Sequence, residues 1–350
     1  MPAKLRSLSG FGLAFVATMI MFEFFCRASG SGTPAQTTVD EDLGVVWKAG
    51  SDLLCLNEGF RIGRINEYGY LGPAYPPEKP DGVIRIALMG DSYVVGRHLF
   101  DRHHFRNVLE EKLNESCSEK VQVLNLGLLA ANFERMYIYH EMFAQKFAPD
   151  YVVYLLGTHN LNRKKMEIGP KLAVKDGSLV VDYSFRTSTR YKIRKKLAFL
   201  RESGICSLIR RARALHIGGE SPRILLGKFG ELLCPEPAVA MGKDMEQIED
   251  PSRKDLNRAI LRSLAEMNSR GSPRIIIVCR DGLPEDFIEC IKKSGIAYFD
   301  PGPELNKLAR SGIDPHYWKG SQATGHWNQY AHRVVGEFLA EKMRPLIEER

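Results

Sequence analysis

The chain has 350 residues, 44% of them hydrophobic and 26% charged, and a formal net charge of +7. This is the composition of a globular protein, which excludes a disordered or low-complexity chain and allows one large domain or two ordinary ones. The charge is too small for this length to imply nucleic acid, and no Walker loop, dinucleotide fingerprint or zinc-ligand spacing accompanies it. No cofactor, metal or nucleic-acid partner is therefore expected.

At the N-terminus, Lys4 and Arg6 precede an apolar run from Leu8 to Phe25 whose one acid is Glu23. A membrane span needs about 20 apolar residues, so residues 1–30 read as a signal-anchor or transmembrane segment. Ala28-Ser29-Gly30 offers small residues for cleavage, and retention as an anchor and cleavage as a secretion signal both stay open. In either case the bulk of the chain is expected outside the cytoplasm, on the periplasmic or cell-surface side. Phe25 and Glu23 argue against Cys26 as a lipoprotein cysteine. Beyond it, Cys55, Cys117, Cys206, Cys234, Cys279 and Cys290 allow up to three disulfides in an oxidising compartment, although Cys279, at the end of "RIIIVC", also reads as a buried thiol.

Residues 31–80 read as a polar linker followed by an irregular apron rich in Gly, Pro and aromatics. Apolar runs then recur at 83–90, 121–127, 151–157 and 273–280, with "RHHFRNVLEEKLNE" and "NFERMYIYHEMFAQKF" as amphipathic helical segments between the first three. This alternation predicts a mostly parallel sheet covered on both faces, a three-layer α/β/α domain over 81–345 with right-handed crossovers. The rhythm breaks in an insertion at about 162–250. There, "KLAVKDGSLVVDY" carries a hairpin signal, and nine Lys and Arg stand against one Glu between 190 and 213. Such an insertion suits a lid over the C-terminal edge of the sheet, and its basic segment suits lipid headgroups or an acidic polymer.

The first strand runs straight into Gly90-Asp91-Ser92, which reads either as a helix-capping turn or as a nucleophile at the rim of the sheet. Far downstream, His326 lies on a loop before the last amphipathic helix. In a doubly wound domain the strand ends and the last loop converge on one rim. Ser92 and His326 are thus candidates for a pair in which the imidazole makes a weak hydroxyl nucleophile competent. Other conspicuous residues have structural readings: His103-His104 at an exposed helix start, His332 in packing or at the surface, Trp327 in loop packing, and Asp91 as the residue that positions Ser92.

Four blocks in order, "ALMGDSYVVG", "VLNLGLLAANF", "PDYVVYLLGTHNL" and "TGHWNQYAH", resemble those of the SGNH (GDSL-like) hydrolases. The lead-in "NEYGYLGPAYPPEKPDGVIRIALMGDS" is similar to that of bacterial, membrane-anchored members. The resemblance covers about residues 66–160 and 255–345 and implies a flavodoxin-like fold, with Ser92 as nucleophile and His326 as general base. It also implies an oxyanion hole built from the backbone N–H of Ser92, a second-block N–H that falls at Ala130, and the side-chain amide of Asn160. Three positions depart from the family. Ala130 replaces a glycine and must adopt its dihedrals. Leu161 replaces the acid that often follows the asparagine, and a shift of one residue would put His159 in the asparagine's place.

The third departure is Thr324, with Ala323, where the family usually has the Asp that orients the histidine; a backbone carbonyl and Asp314 are the two replacements open. The activity implied is that of an extracytoplasmic serine esterase or O-acyltransferase acting on O-acyl groups of cell-surface carbohydrate, with an ester substrate and the membrane as partners. Thr324, Ala130 and Leu161 keep a second reading alive, a degenerate relative that binds glycan or supports envelope polysaccharide assembly.

Overall fold

A computed structural model describes residues 3–29, 35–55, 58–162, 168–175, 177–214 and 251–349. The chain divides into two compact units, one of residues 1–39 and 187–239 and the other of residues 40–186 and 240–350.

The larger unit is built on five parallel strands: β1 (Val83–Met89), β2 (Lys120–Asn125), β3 (Tyr151–Leu156), β4 (Arg274–Cys279) and β5 (Ala297–Phe299), in the order 2-1-3-4-5. Pairing is in register over long stretches, for example Ile84 to Leu88 against Val121 to Asn125 and Arg274 to Cys279 against Tyr151 to Leu156. Alternate residues supply two apolar layers, because successive side chains on a strand point to opposite faces. On one face Ile84, Ile86, Leu88, Val153 and Val278 pack against the helices Phe105–Ser116 and Gln329–Glu348. On the other, Ala87, Met89, Val152, Tyr154 and Ile277 pack against the helices Phe133–Met142 and Pro251–Ser269, together with Trp47, Leu53, Ile65, Tyr70 and Leu71 of the N-terminal segment. This is the three-layer α/β/α architecture read from the sequence; β5 and its short half-buried run "AYF" carry too weak a signal to be foreseen.

The N-terminal segment is more ordered than an irregular apron. Asp52–Cys55 and Arg61–Arg64 form an antiparallel ladder, and the Trp47 indole donates to the Gly127 carbonyl at 2.9 Å. Downstream, Lys171–Lys175 and Ser178–Asp182 pair as a hairpin, tied by the Leu172 N–H to Glu134. The expected disulfides are absent among Cys117, Cys206, Cys279 and Cys290, and Cys279 is a buried thiol; Cys234 lies outside the described residues.

In the smaller unit the helix Ala3–Ala28 contains a 19-residue segment, Gly10–Ala28, long and apolar enough to cross a membrane. Phe11, Leu13, Phe15, Ile20 and Phe24 on it are exposed. Its acid has a partner: Glu23 accepts hydrogen bonds from the Gly204 and Ile205 N–H groups and the Ser203 hydroxyl. It thereby caps the helix Gly204–Ala214, whose first N–H groups have no partner within the helix. The basic segment forms this helix together with Thr189–Lys196.

Candidate active site

The order 2-1-3-4-5 makes a topological switch point between β1 and β3, where open α/β sheets bind ligands at the carboxyl ends of the strands. Ser92 stands there, directly after β1. It opens a single helical turn, Ser92–Val95, closed by Gly96 in the left-handed conformation at φ 54°. Two glycines make room for this turn. A Cβ on Gly90 would lie 2.2 Å from Val94 Cγ2, and one on Gly127 would lie 2.6 Å from the backbone nitrogen of Val95.

Asp91 holds the turn from below. Its Oδ1 accepts the Tyr93 N–H at 3.0 Å, while Oδ2 takes His159 Nε2 at 2.6 Å, Asn160 Nδ2 at 3.0 Å and Arg280 Nη1 at 2.8 Å. Burial raises the Asp91 carboxyl's pKa, but His159 and Arg280 outweigh that and hold it far below the usual carboxylate range. The Arg280 guanidinium also lies 4.2 Å from the Tyr93 ring centre. The residue beside Ser92 is thus fixed from both sides.

His326 reaches the same point from the other end of the chain. Ser92 Oγ and His326 Nε2 are 2.7 Å apart. The loop that presents the imidazole is pinned by the Trp318 indole, which donates to the His326 carbonyl at 2.9 Å. The Asn328 amide donates to the Asp314 and Tyr317 carbonyls, and its oxygen caps the final helix.

The other imidazole nitrogen meets a residue that the sequence had not singled out. Glu58 Oε1 and Oε2 lie 3.0 and 2.9 Å from His326 Nδ1, and Oε2 also accepts the His326 N–H at 3.0 Å. Neither replacement foreseen for the missing aspartate applies: Asp314 instead accepts the N–H of His316, and among the described residues no backbone carbonyl meets His326 Nδ1. Thr324 is exposed and pairs with Tyr317 in a short antiparallel bridge.

Glu58 is buried at φ 64°, a left-handed conformation uncommon outside glycine. A Cβ at Gly325 would fall 2.5 Å from its Oε1, so the "TGH" glycine gives the carboxylate its place. Burial pushes the Glu58 carboxyl up, but the hydrogen bond and charge of His326 prevail, and it is held below the ordinary value as a carboxylate.

The expected oxyanion groups divide. Ala130 adopts the left-handed conformation at φ 58° that the glycine it replaces would take. Among the described residues, neither the Ser92 N–H nor the Ala130 N–H is hydrogen-bonded. Asn160 does not fit its expected part. It is 0% exposed, its amide hydrogens go to Asp91 Oδ2 and the Ala131 carbonyl, and its oxygen accepts the Gly157 N–H at 2.8 Å. An amide with both hydrogens committed has none for an oxyanion; Asn160 instead ties the loops after β1, β2 and β3 together.

His104 is buried, not at an exposed helix start; it caps the helix Phe105–Ser116 by accepting the Arg106 N–H. His332 and Trp327 are buried in the core, as the packing readings expected. Glu58 carried no periodic or motif signal: it is an acid before a glycine in a segment that also contains Glu67.

A serine at the carboxyl end of the first strand is thus linked through a histidine to a buried carboxylate. No family model matches the chain, and no curated protein matches it. Solved structures to which it is similar include a protein assigned to the lipolytic G-D-S-L family from Desulfitobacterium hafniense, at 10% identity and TM-score 0.35 over 73% of this chain and 98% of that one. The acetyl xylan esterase AlAXEase is similar at 10% identity and TM-score 0.39, with 74% and 99% covered. An acetyl xylan esterase from Geobacillus stearothermophilus is similar at 11% identity and TM-score 0.38, with 74% and 94% covered.

Proposed function

We propose that this chain is an SGNH-type serine esterase or O-acyltransferase, held at the membrane by its N-terminal helix. The observation that carries this reading is the unbroken series Ser92 Oγ, His326, Glu58. A serine hydroxyl attacks an ester carbonyl slowly unless its proton is removed as the bond forms, and His326 Nε2 is within reach of that proton. The positive charge that develops on the imidazole is then stabilised by Glu58, which also fixes the proton on Nδ1 and leaves Nε2 as the acceptor. His326 returns the proton to the departing alcohol, and the acyl group rests on Ser92 Oγ until water or an acceptor hydroxyl takes it.

Negative charge on the carbonyl oxygen is received by the N–H groups of Ser92 and Ala130, both free of other acceptors among the described residues. The four-block resemblance, together with an extracytoplasmic address, supports O-acyl groups of cell-surface carbohydrate as the substrate class. A non-catalytic, glycan-binding relative needs neither a carboxylate behind His326 nor a left-handed alanine at 130, and Glu58 weighs against it.

The test uses the full-length chain in detergent. A fluorophosphonate should label it at Ser92, and it should turn over a short-chain aryl ester and release acyl groups from an acetylated polysaccharide; Ser92→Ala should do none of these. Labelling of the wild type no greater than that of Ser92→Ala would overturn the catalytic reading.

A further inference from the structure

Beside the Ser92–His326–Glu58 series lies a second histidine that the proposed reaction does not use. His98 is 3% exposed, and among the described residues neither ring nitrogen is hydrogen-bonded; its Nε2 is a buried polar atom without a partner. A buried imidazole without a hydrogen bond carries a desolvation cost that calls for an explanation. Its Nδ1 faces Glu58 Oε2 at 3.8 Å, and its ring lies against that of His326 with centroids 4.7 Å apart. One ligand atom from each of Glu58, His98 and His326 falls within 4.8 Å of the other two.

From this cluster we infer that Glu58, His98 and His326 form an inhibitory site for a divalent transition-metal ion of the zinc class, one that switches the proposed esterase off. The geometry fits. A tetrahedral ion with nitrogen and oxygen ligands at about 2.0–2.2 Å has donor–donor edges of roughly 3.3 Å. The Glu58–His326 separation of 2.9 Å and the Glu58–His98 separation of 3.8 Å lie on either side of that figure. Two imidazoles and one carboxylate suit zinc, cobalt or nickel and not magnesium or calcium, which prefer oxygen.

Occupation of the site reverses the chemistry of His326. In the resting arrangement Nδ1 carries the proton toward Glu58 and Nε2 accepts from Ser92. When the ion takes the Nδ1 lone pair, the proton moves to Nε2, which then donates to Ser92 Oγ and no longer accepts its proton. Glu58 gives up its hydrogen bond to the imidazole for a bond to the metal. No electron is transferred and no proton is lost from the neutral ring, so removal of the ion restores the starting state.

This inference rests on the hydrolase reading for its consequence but not for the binding itself, and the experiment separates the two. The full-length Ser92→Ala chain, which keeps all three ligands, is titrated with Co2+ by visible absorption and with Zn2+ by calorimetry. One ion per chain with a tetrahedral cobalt spectrum is expected, and both signals should be lost when His98→Phe or His98→Gln is added. Ester turnover with and without Zn2+ is then compared within each Ser92-containing variant.

Loss of an outer-shell partner alone costs about 10- to 100-fold in metal affinity, so loss of His98 should raise the half-inhibitory zinc concentration by at least about 100-fold. Chelation should restore wild-type turnover, and Mg2+ should have no effect. No cobalt binding, or binding and inhibition that survive both His98 substitutions, overturns the metal site. Cobalt binding through His98 in a chain without esterase activity would instead overturn the catalytic reading and leave the metal site standing.

Discussion

Glu58 and His326 lie 268 positions apart in sequence, yet the carboxylate of one takes both the backbone N–H and the Nδ1 side of the other. The bidentate contact fixes the imidazole in plane and in tautomer. Replacing Glu58 by Gln keeps the size and removes the charge, and turnover of a short-chain ester should fall by about 10³- to 10⁴-fold with KM nearly unchanged. Steady-state kinetics on Glu58→Gln, with Asp314→Asn as a variant that keeps the wild-type rate, checks this. Thr324→Asp, which places an acid at an exposed position, should rescue nothing in the Glu58→Gln background.

Ala130 holds a left-handed conformation that costs an L-residue about 1–2 kcal/mol. Ala130→Gly keeps the N–H and relieves that cost, so turnover should stay within about twofold of wild type. Ala130→Val puts a β-branched side chain where φ is 58°, and both thermal stability and turnover should drop. A valine variant with wild-type kinetics would remove the Ala130 N–H from the proposed oxyanion site.

Asn160 is a joint between loops. Ala in its place leaves Asp91, Gly157 and Ala131 each short of a buried hydrogen bond, a loss of about 2–4 kcal/mol. Urea denaturation of Asn160→Ala should register that loss. Turnover per folded molecule should fall by less than the 10²- to 10³-fold typical of a lost oxyanion donor.

Acid should unfold the larger unit early. Burial holds His332 down at about 3 and His140 at about 4, and His98 and His104 well below the ordinary value. These histidines are neutral in both states above about pH 6.5, where they add no pH dependence. Below it the unfolded chain takes up protons that the folded one refuses, so stability is lost as pH falls from about 6.5 toward the folded values. For His332 alone the loss reaches about 2 kcal/mol by pH 5. Denaturation midpoints between pH 7 and 4 should decline steeply, and His332→Phe should flatten that slope.

The N-terminal helix sets a test of the proposed address. The full chain is expected to stay with the membrane pellet through alkaline carbonate extraction, because Gly10–Ala28 is long enough to span the bilayer. Recovery in the supernatant would mark the helix as a cleaved signal or as part of a soluble chain.

The strand–helix alternation, the apolar N-terminal run and the position of Ser92 at the end of the first strand are legible in the order of the amino acids. These are local properties: a buried parallel strand is a short apolar run, and a tight turn after it needs small residues. Ser92 and His326 are also expected together from the sequence, because in a doubly wound sheet their segments end on the same rim. Two features depend on contacts between distant parts of the chain. One is the assignment of Asn160, whose amide is used up by Asp91 and Ala131, partners supplied by separate loops. The other is the acid behind His326. A carboxylate needs only one side-chain length of approach, and a glycine opposite, to take that place, and Glu58 gains both through a fold that sets residue 58 against residue 325. Nothing local distinguishes Glu58 from Glu67, since the property that matters is which side chain the folded chain leaves buried within 3.0 Å of His326 Nδ1.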